Sequence, residues 1–129
     1  MTLDDVKTAF ADEYGSLAAK FHVYVLGVEE AYEIKEGGVN KPGVYVYWHP
    51  KYDVIVIGKS QSNSKKRALD HIRDNTRRGA LEMAALKDDK DVRIMLFNVF
   101  AKKDLHWVLS LEAFMEWNLS PAIPAGRIG

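Results

Sequence analysis

The stretch richest in reactive side chains runs from Lys59 to Arg78. There seven bases (Lys59, Lys65, Lys66, Arg67, Arg73, Arg77 and Arg78) stand against two acids, Asp70 and Asp74, with His71 among them. The whole chain is neutral, with 18 basic and 18 acidic residues. A local cationic patch still holds phosphates, because screening over about 8–10 Å lets near charges outweigh distant ones. The same run also fits the solvated face of an ordinary helix. Glu112 is a second candidate. At about 100° per residue, Val108, Leu111, Met115 and Leu119 form one helical stripe, with Glu112 inside it and Glu116 at its edge. A carboxylate turned toward an apolar interior needs a cation or hydrogen-bond donors, which a divalent metal or an ion pair with Arg67 would supply. Tyr45, Tyr47 and His49 form a third set, sharing one face of an extended run.

Several familiar chemistries are excluded. Ile57-Gly58-Lys59-Ser60 matches the end of a phosphate-binding Gly-x-x-x-x-Gly-Lys-Ser loop, but Asp53 stands where the first glycine belongs and the run before Gly58 is strand-like. His22, His49, His71 and His106 lack the spacing of a histidine zinc site, and the chain has no cysteine for a thiolate ligand, a nucleophile or a disulfide. Neither a Gly-x-Ser-x-Gly elbow nor a dinucleotide-binding glycine fingerprint is present.

The elements that must hold these residues are legible as patterns. Thr2-Leu3-Asp4-Asp5 has capping-box spacing, and Leu3, Val6, Phe10, Tyr14, Leu17 and Phe21 follow at helical steps, predicting a helix over 3–21. Residues 21–34 leave helix and strand open, and the turn-rich Gly37–Gly43 then closes the segment. Gly43–Trp48 and Asp53–Gly58 are aromatic and β-branched runs that predict a hairpin. A helix is expected from Ser62 or Asn63 to about Asn75, with Leu69 and Ile72 inward. A short helix is expected over 79–87, a strand over 92–100, and a last helix capped by Asp104 and ending near Asn118.

The 129 residues, 47% of them apolar, suit one core. The expected fold is α/β (α+β): a small, mainly antiparallel three-stranded sheet flanked by helices. Residues 1–41, with eight acids and three bases, form an acidic, partly helical extension packed on a core of residues 42–129. No run approaches the ~20 apolar residues that span a bilayer, and the first residues are acidic where an export signal is basic. A soluble cytoplasmic protein is the expectation.

Three separated pieces carry a family likeness. Val56-Ile57-Gly58 begins eleven residues past the tyrosine of Gly43-Val44-Tyr45 and continues into Lys59-Ser60; Arg67 lies nine residues past Gly58, and His71 four further on. The run from Glu112 through Leu119 to Pro121 completes the set. Together, over roughly residues 42–123, these resemble the GIY-YIG endonuclease superfamily. The likeness implies hydrolysis of a nucleic-acid phosphodiester with one Mg²⁺ or Mn²⁺. It assigns the metal to Glu112, the scissile phosphate to Arg67 and the proton of the attacking water to Tyr45, with Lys59 or the metal easing ionisation of the phenol. His71 would hydrogen-bond and orient Tyr45. Lys59, Lys65, Lys66, Arg73, Arg77 and Arg78 would grip the strand, with DNA the expected partner and RNA and homo-oligomerisation left open. Two departures stand out: Val56 replaces the second signature tyrosine, for which Tyr47 or Tyr52 are substitutes, and Pro124 replaces an asparagine. They keep open a GIY-YIG fold that binds nucleic acid without cutting. A third reading is a protein-interaction domain using the acidic first segment, whose helix would then show an exposed apolar face or pair with a partner.

Overall fold

The structure, a computed structural model, describes residues 1–125, so the last four residues of the expected 42–129 core lie outside the described residues. Helix α1 (Leu3–Tyr14) starts at a reciprocal cap: Thr2 Oγ1 accepts the Asp5 N–H at 3.0 Å, and Asp5 accepts the Thr2 N–H at 2.7 Å. It ends well before residue 21. Gly15 turns the chain at a φ of 53°, and Gly15–Lys20 continue as a 3-10 segment. Phe21–Leu26 is then a strand, β1, and Val28–Glu33 a short helix, α2, whose Glu30 accepts the Gly27 N–H.

The hairpin forms as expected from β2 (Gly43–His49) and β3 (Asp53–Ser60). Helix α3 (Ser64–Arg73) is capped by Asn63, whose Oδ1 accepts the Lys66 N–H at 3.0 Å. The helix expected over 79–87 does not form. Gly79, at a φ of 61°, reverses the chain so that β4 (Arg77–Arg78) pairs with β5 (Leu81–Glu82), leaving one 3-10 turn at Met83–Leu86. Strand β6 (Arg93–Val99) and helix α4 (Leu105–Asn118) complete the fold. Asp104 does not cap α4 with its side chain and instead lies 3.5 Å from Lys20 Nζ.

The main sheet has four strands, in the order β1-β6-β2-β3 and antiparallel throughout, rather than the expected three. The extra strand is β1, paired with β6 from Phe21 opposite Val99 to Leu26 opposite Ile94. As an edge strand it is buried only at its two ends, so it lacks the nearly continuous burial of the inner strands β2 and β6. Period-two alternation sorts the sheet's side chains into two layers, with one register shift, where Tyr47 pairs with Val56 and Trp48 with Val54, that puts Ile55 and Ile57 in different layers. One layer joins Tyr45, Tyr47, Ile55, Ile94 and Leu96 to α2, α3 and Met83–Leu86; the other joins Val44, Val46, Ile57, Met95 and Phe97 to α1 and α4. The apolar stripe of α1 (Val6, Phe10 and Tyr14) is therefore covered by this chain's own sheet.

One buried polar cluster sets the position of α3. Ser64 Oγ donates to Asn98 Oδ1 at 2.6 Å, Asn98 Nδ2 donates to the Gly38 carbonyl at 2.8 Å, and the Ser64 N–H reaches the Lys41 carbonyl at 2.9 Å. Both side chains are fully buried, so these partners satisfy groups that would otherwise be costly. No helix among the described residues is long and apolar enough to cross a membrane.

Candidate functional site

Tyr45 lies opposite Gly58 in the β2–β3 ladder. A Cβ on Gly58 would stand 2.1 Å from the Tyr45 hydroxyl oxygen, so only glycine lets the phenol ring lie across β3. The ring is 3% exposed, and its hydroxyl meets His71 Nε2 at 2.5 Å, the contact expected of His71. On the other side of the imidazole, Nδ1 lies 2.7 Å from Thr76 Oγ1. Burial pushes the His71 pKa below its ordinary value, and the Arg67 charge acts in the same direction, so the ring is neutral near pH 7. Tyr45 then donates to Nε2 while Nδ1–H donates to Thr76. Burial also pushes the Tyr45 phenol up to about 12; Arg67 opposes the rise, whereas Glu112 and Asp70 add to it. Contrary to the expectation that nearby cations would make the phenolate accessible, Tyr45 stays protonated at neutral pH.

Glu112 and Lys59 belong to the opposite layer of the sheet. Glu112 is 8% exposed, and its Oε1 lies 3.2 Å from Lys59 Nζ, so its partner is Lys59 and not Arg67. The two layers meet past β3, which is an edge strand. Around that edge the Tyr45 phenol feels Arg67 and Asp70 from α3 and Glu112 from α4. The outer edge of β3 is bonded at Val54 and Ile55, which accept the Ala122 and Ile123 N–H groups. Beyond it an open cleft of about 350 Å³ is lined by Lys59, Ser60, Asn63, Lys66, Arg67 and Asp70.

No protein-family model matches the chain, and no curated protein or solved structure does.

The expected basic residues divide by their partners. Among the described residues Lys65, Lys66, Arg67 and Arg78 make no salt bridge; Lys59 is bound to Glu112, Arg73 to Asp70 and Asp74, and Arg77 to Glu82. Lys59, Lys66 and Arg67 face the cleft, Lys65 and Arg73 line a neighbouring cleft along α3, and Arg77 and Arg78 lie on the exposed β4 hairpin. Neither proposed substitute for the missing hydroxyl is available. The Tyr47 hydroxyl is fully buried and donates to the Ala68 carbonyl at 2.6 Å, while Tyr52 sits at the hairpin turn against His49. Val56 is buried opposite Tyr47.

Glu116, placed by helical spacing at the edge of the apolar stripe, is as buried as Glu112. Its Oε1 accepts the Ala125 N–H, and its Oε2 has no partner among the described residues. Burial raises its pKa, with the neighbouring Glu112 adding to the rise. Dispersed histidines gave no sign of a second cluster, yet His49, Asp89 and Asp91 each place one ligand atom within 4.8 Å of the others and could hold a metal ion. Only antiparallel folding brings these residues together, so no spacing rule would have found them. His49 Nδ1 accepts the Lys51 N–H at 3.0 Å, which leaves the proton on Nε2 for Asp89, 2.9 Å away. Thr76 was also missed, because its contact with His71 depends on the turn after α3.

Proposed function

We propose that this protein is a metal-dependent endonuclease of GIY-YIG type that hydrolyses a phosphodiester in nucleic acid, most naturally DNA. One observation carries the reading: Tyr45, Arg67, His71 and Glu112 come from three different elements, the Tyr45 hydroxyl meets His71 and feels the charges of Arg67 and Glu112, and Arg67 lines a cationic cleft.

Glu112 suits a hard divalent cation such as Mg²⁺ or Mn²⁺: it is a carboxylate that already takes a cationic partner, Lys59, and such ions need only one or two protein carboxylates beside substrate oxygens and water. A bound ion would supply Lewis-acid stabilisation of the phosphate and its leaving oxygen. Arg67, with no competing salt bridge, binds the scissile phosphate through its planar fork and stabilises the charge gained in the transition state. The phenol is too weak an acid to wait as a phenolate. The water's proton therefore passes to the Tyr45 oxygen as the Tyr45 proton passes to His71 Nε2, giving an imidazolium whose charge Asp70 and Asp74 favour. Thr76 keeps the Nδ1 proton in place, so that Nε2 is the accepting nitrogen.

The test is incubation of purified protein with plasmid, single-stranded and branched DNA, with and without Mg²⁺ or Mn²⁺. Metal-dependent nicking is expected, falling on the acid side through a pKa below 6.5 as His71 gains a proton. Binding without cleavage is the second reading, favoured by Val56 and by the Tyr47 hydroxyl being engaged elsewhere. Tight, salt-sensitive affinity with no cleavage, unchanged by Glu112→Ala, would establish it. Absence of affinity for any nucleic acid would sink both.

A further inference from the structure

A second cleft, of about 690 Å³, runs along the other side of α3. Its floor is apolar, built from Leu69 and Ile72 with the Tyr32 ring of α2, and its rim is cationic, from Lys65, Lys66 and Lys87. Tyr32 is 48% exposed, which is unusual for a ring with apolar neighbours, and Lys87 Nζ lies 6.0 Å from the ring centroid. Among the described residues neither Lys65, Lys66 nor Lys87 makes a salt bridge. The two clefts adjoin, sharing Asn63, Lys66 and Asp70. A ligand fitting both must have an anionic edge that follows the lysines and a flat apolar face that covers the floor.

We propose that this second cleft holds an unpaired nucleotide of the strand whose neighbouring phosphate is bound at Arg67, with its base against Tyr32, Leu69 and Ile72 and its phosphate at Lys65 and Lys66. The inference rests on the nucleic-acid reading above and narrows it to substrates that have a single-stranded or splayed segment beside the reacting bond. A continuous duplex would keep its bases stacked out of reach of the floor, whereas a free base stacks on an aromatic ring without regard to sequence. Asp70, paired with Arg73, is the acid shared by both clefts and marks the border between phosphate and base subsites.

The experiment measures binding, without metal, of a fluorescein-labelled single-stranded deoxyoligonucleotide and of a series in which one abasic site is moved along it. An abasic site keeps the phosphate and removes only the base. For the wild-type chain one position should weaken binding by about tenfold. Tyr32→Ala should bind the intact strand about tenfold more weakly and lose all sensitivity to the abasic site, while Tyr32→Phe keeps both properties. Circular dichroism melts check that these exposed-site variants fold. Tyr32→Ala binding like wild type, or still sensing the abasic position, overturns the subsite while leaving the nuclease reading intact, provided that Arg67→Ala still weakens binding. If no oligonucleotide binds at all, the underlying reading fails and the subsite fails with it.

Discussion

The two ends of β2 each put an imidazole into a pair of hydrogen bonds, and the two pairs could hardly be more differently surrounded. Near its start, Tyr45 holds His71, whose other nitrogen meets the Thr76 hydroxyl, and the bases facing the adjoining cleft include Lys66 and Arg67, which lack salt-bridge partners among the described residues. At its end, His49 is held by the Lys51 amide and the Asp89 carboxylate, beside the further carboxylate of Asp91. A histidine whose partners are hydroxyls can pass its proton either way with little rearrangement. One fixed between an amide donor and a carboxylate is a tie between hairpin and loop, and Nε2 could ligate a metal only after giving up its proton.

The largest expected effect tests that contrast through activity. Arg67→Ala and Glu112→Ala should each lower metal-dependent nicking by about 100-fold or more, whereas Asp89→Asn should leave the rate per folded molecule unchanged. Comparable losses at both ends of β2 would erase the distinction. Next in size is Gly58→Ala, whose methyl would collide with the Tyr45 hydroxyl. A cost of about 1–3 kcal/mol in urea unfolding is expected, together with loss of activity, because the ring must leave its place over β3. An unchanged midpoint would mean that the ring has other room.

Asp89→Asn should cost about 1 kcal/mol in the same assay, through a weakened His49 bond. Hydrogen bonds, first from the Asp91 amide and then from His49, hold the Asp89 pKa below its ordinary 3.8. The stabilisation is therefore present above that value and is lost as pH falls through the folded-state pKa, so wild type and variant should converge in acid. The smallest effect belongs to Glu116→Gln. Burial raises this carboxyl above 4.5, so the folded chain loses stability as pH rises from that value through the folded pKa. Gln keeps an acceptor for Ala125 without the charge. Its melting point should equal or slightly exceed that of wild type at pH 7.5 and match it at pH 4; a clear loss at neutral pH would show that the charge itself is needed.

Much of this arrangement was readable from residue order, for local reasons. The β2–β3 hairpin announces itself through β-branched and aromatic alternation, and the α1 cap through Thr2 and Asp5, because both depend on neighbours within a few positions. Glu112 was found because one carboxylate interrupts an apolar stripe. What escaped depended on contacts distant in sequence. β1 was ambiguous because its partner strand lies far away in sequence, Leu26 pairing with Ile94 and Phe21 with Val99, and one of its edges faces solvent. Lys59 replaced Arg67 as the partner of Glu112 because the β2–β3 register sets Lys59 opposite Val44, on the layer that packs against α4. The failed helix at 79–87 was decided by one glycine in a left-handed conformation.

The buried Ser64–Asn98 pair has a bearing on timing. It pegs the first turn of α3 to the middle of the sheet, and the first turn carries the rest of the helix with it. Arg67 and His71 therefore take up their stations when the chain folds, before anything occupies the cleft beside them.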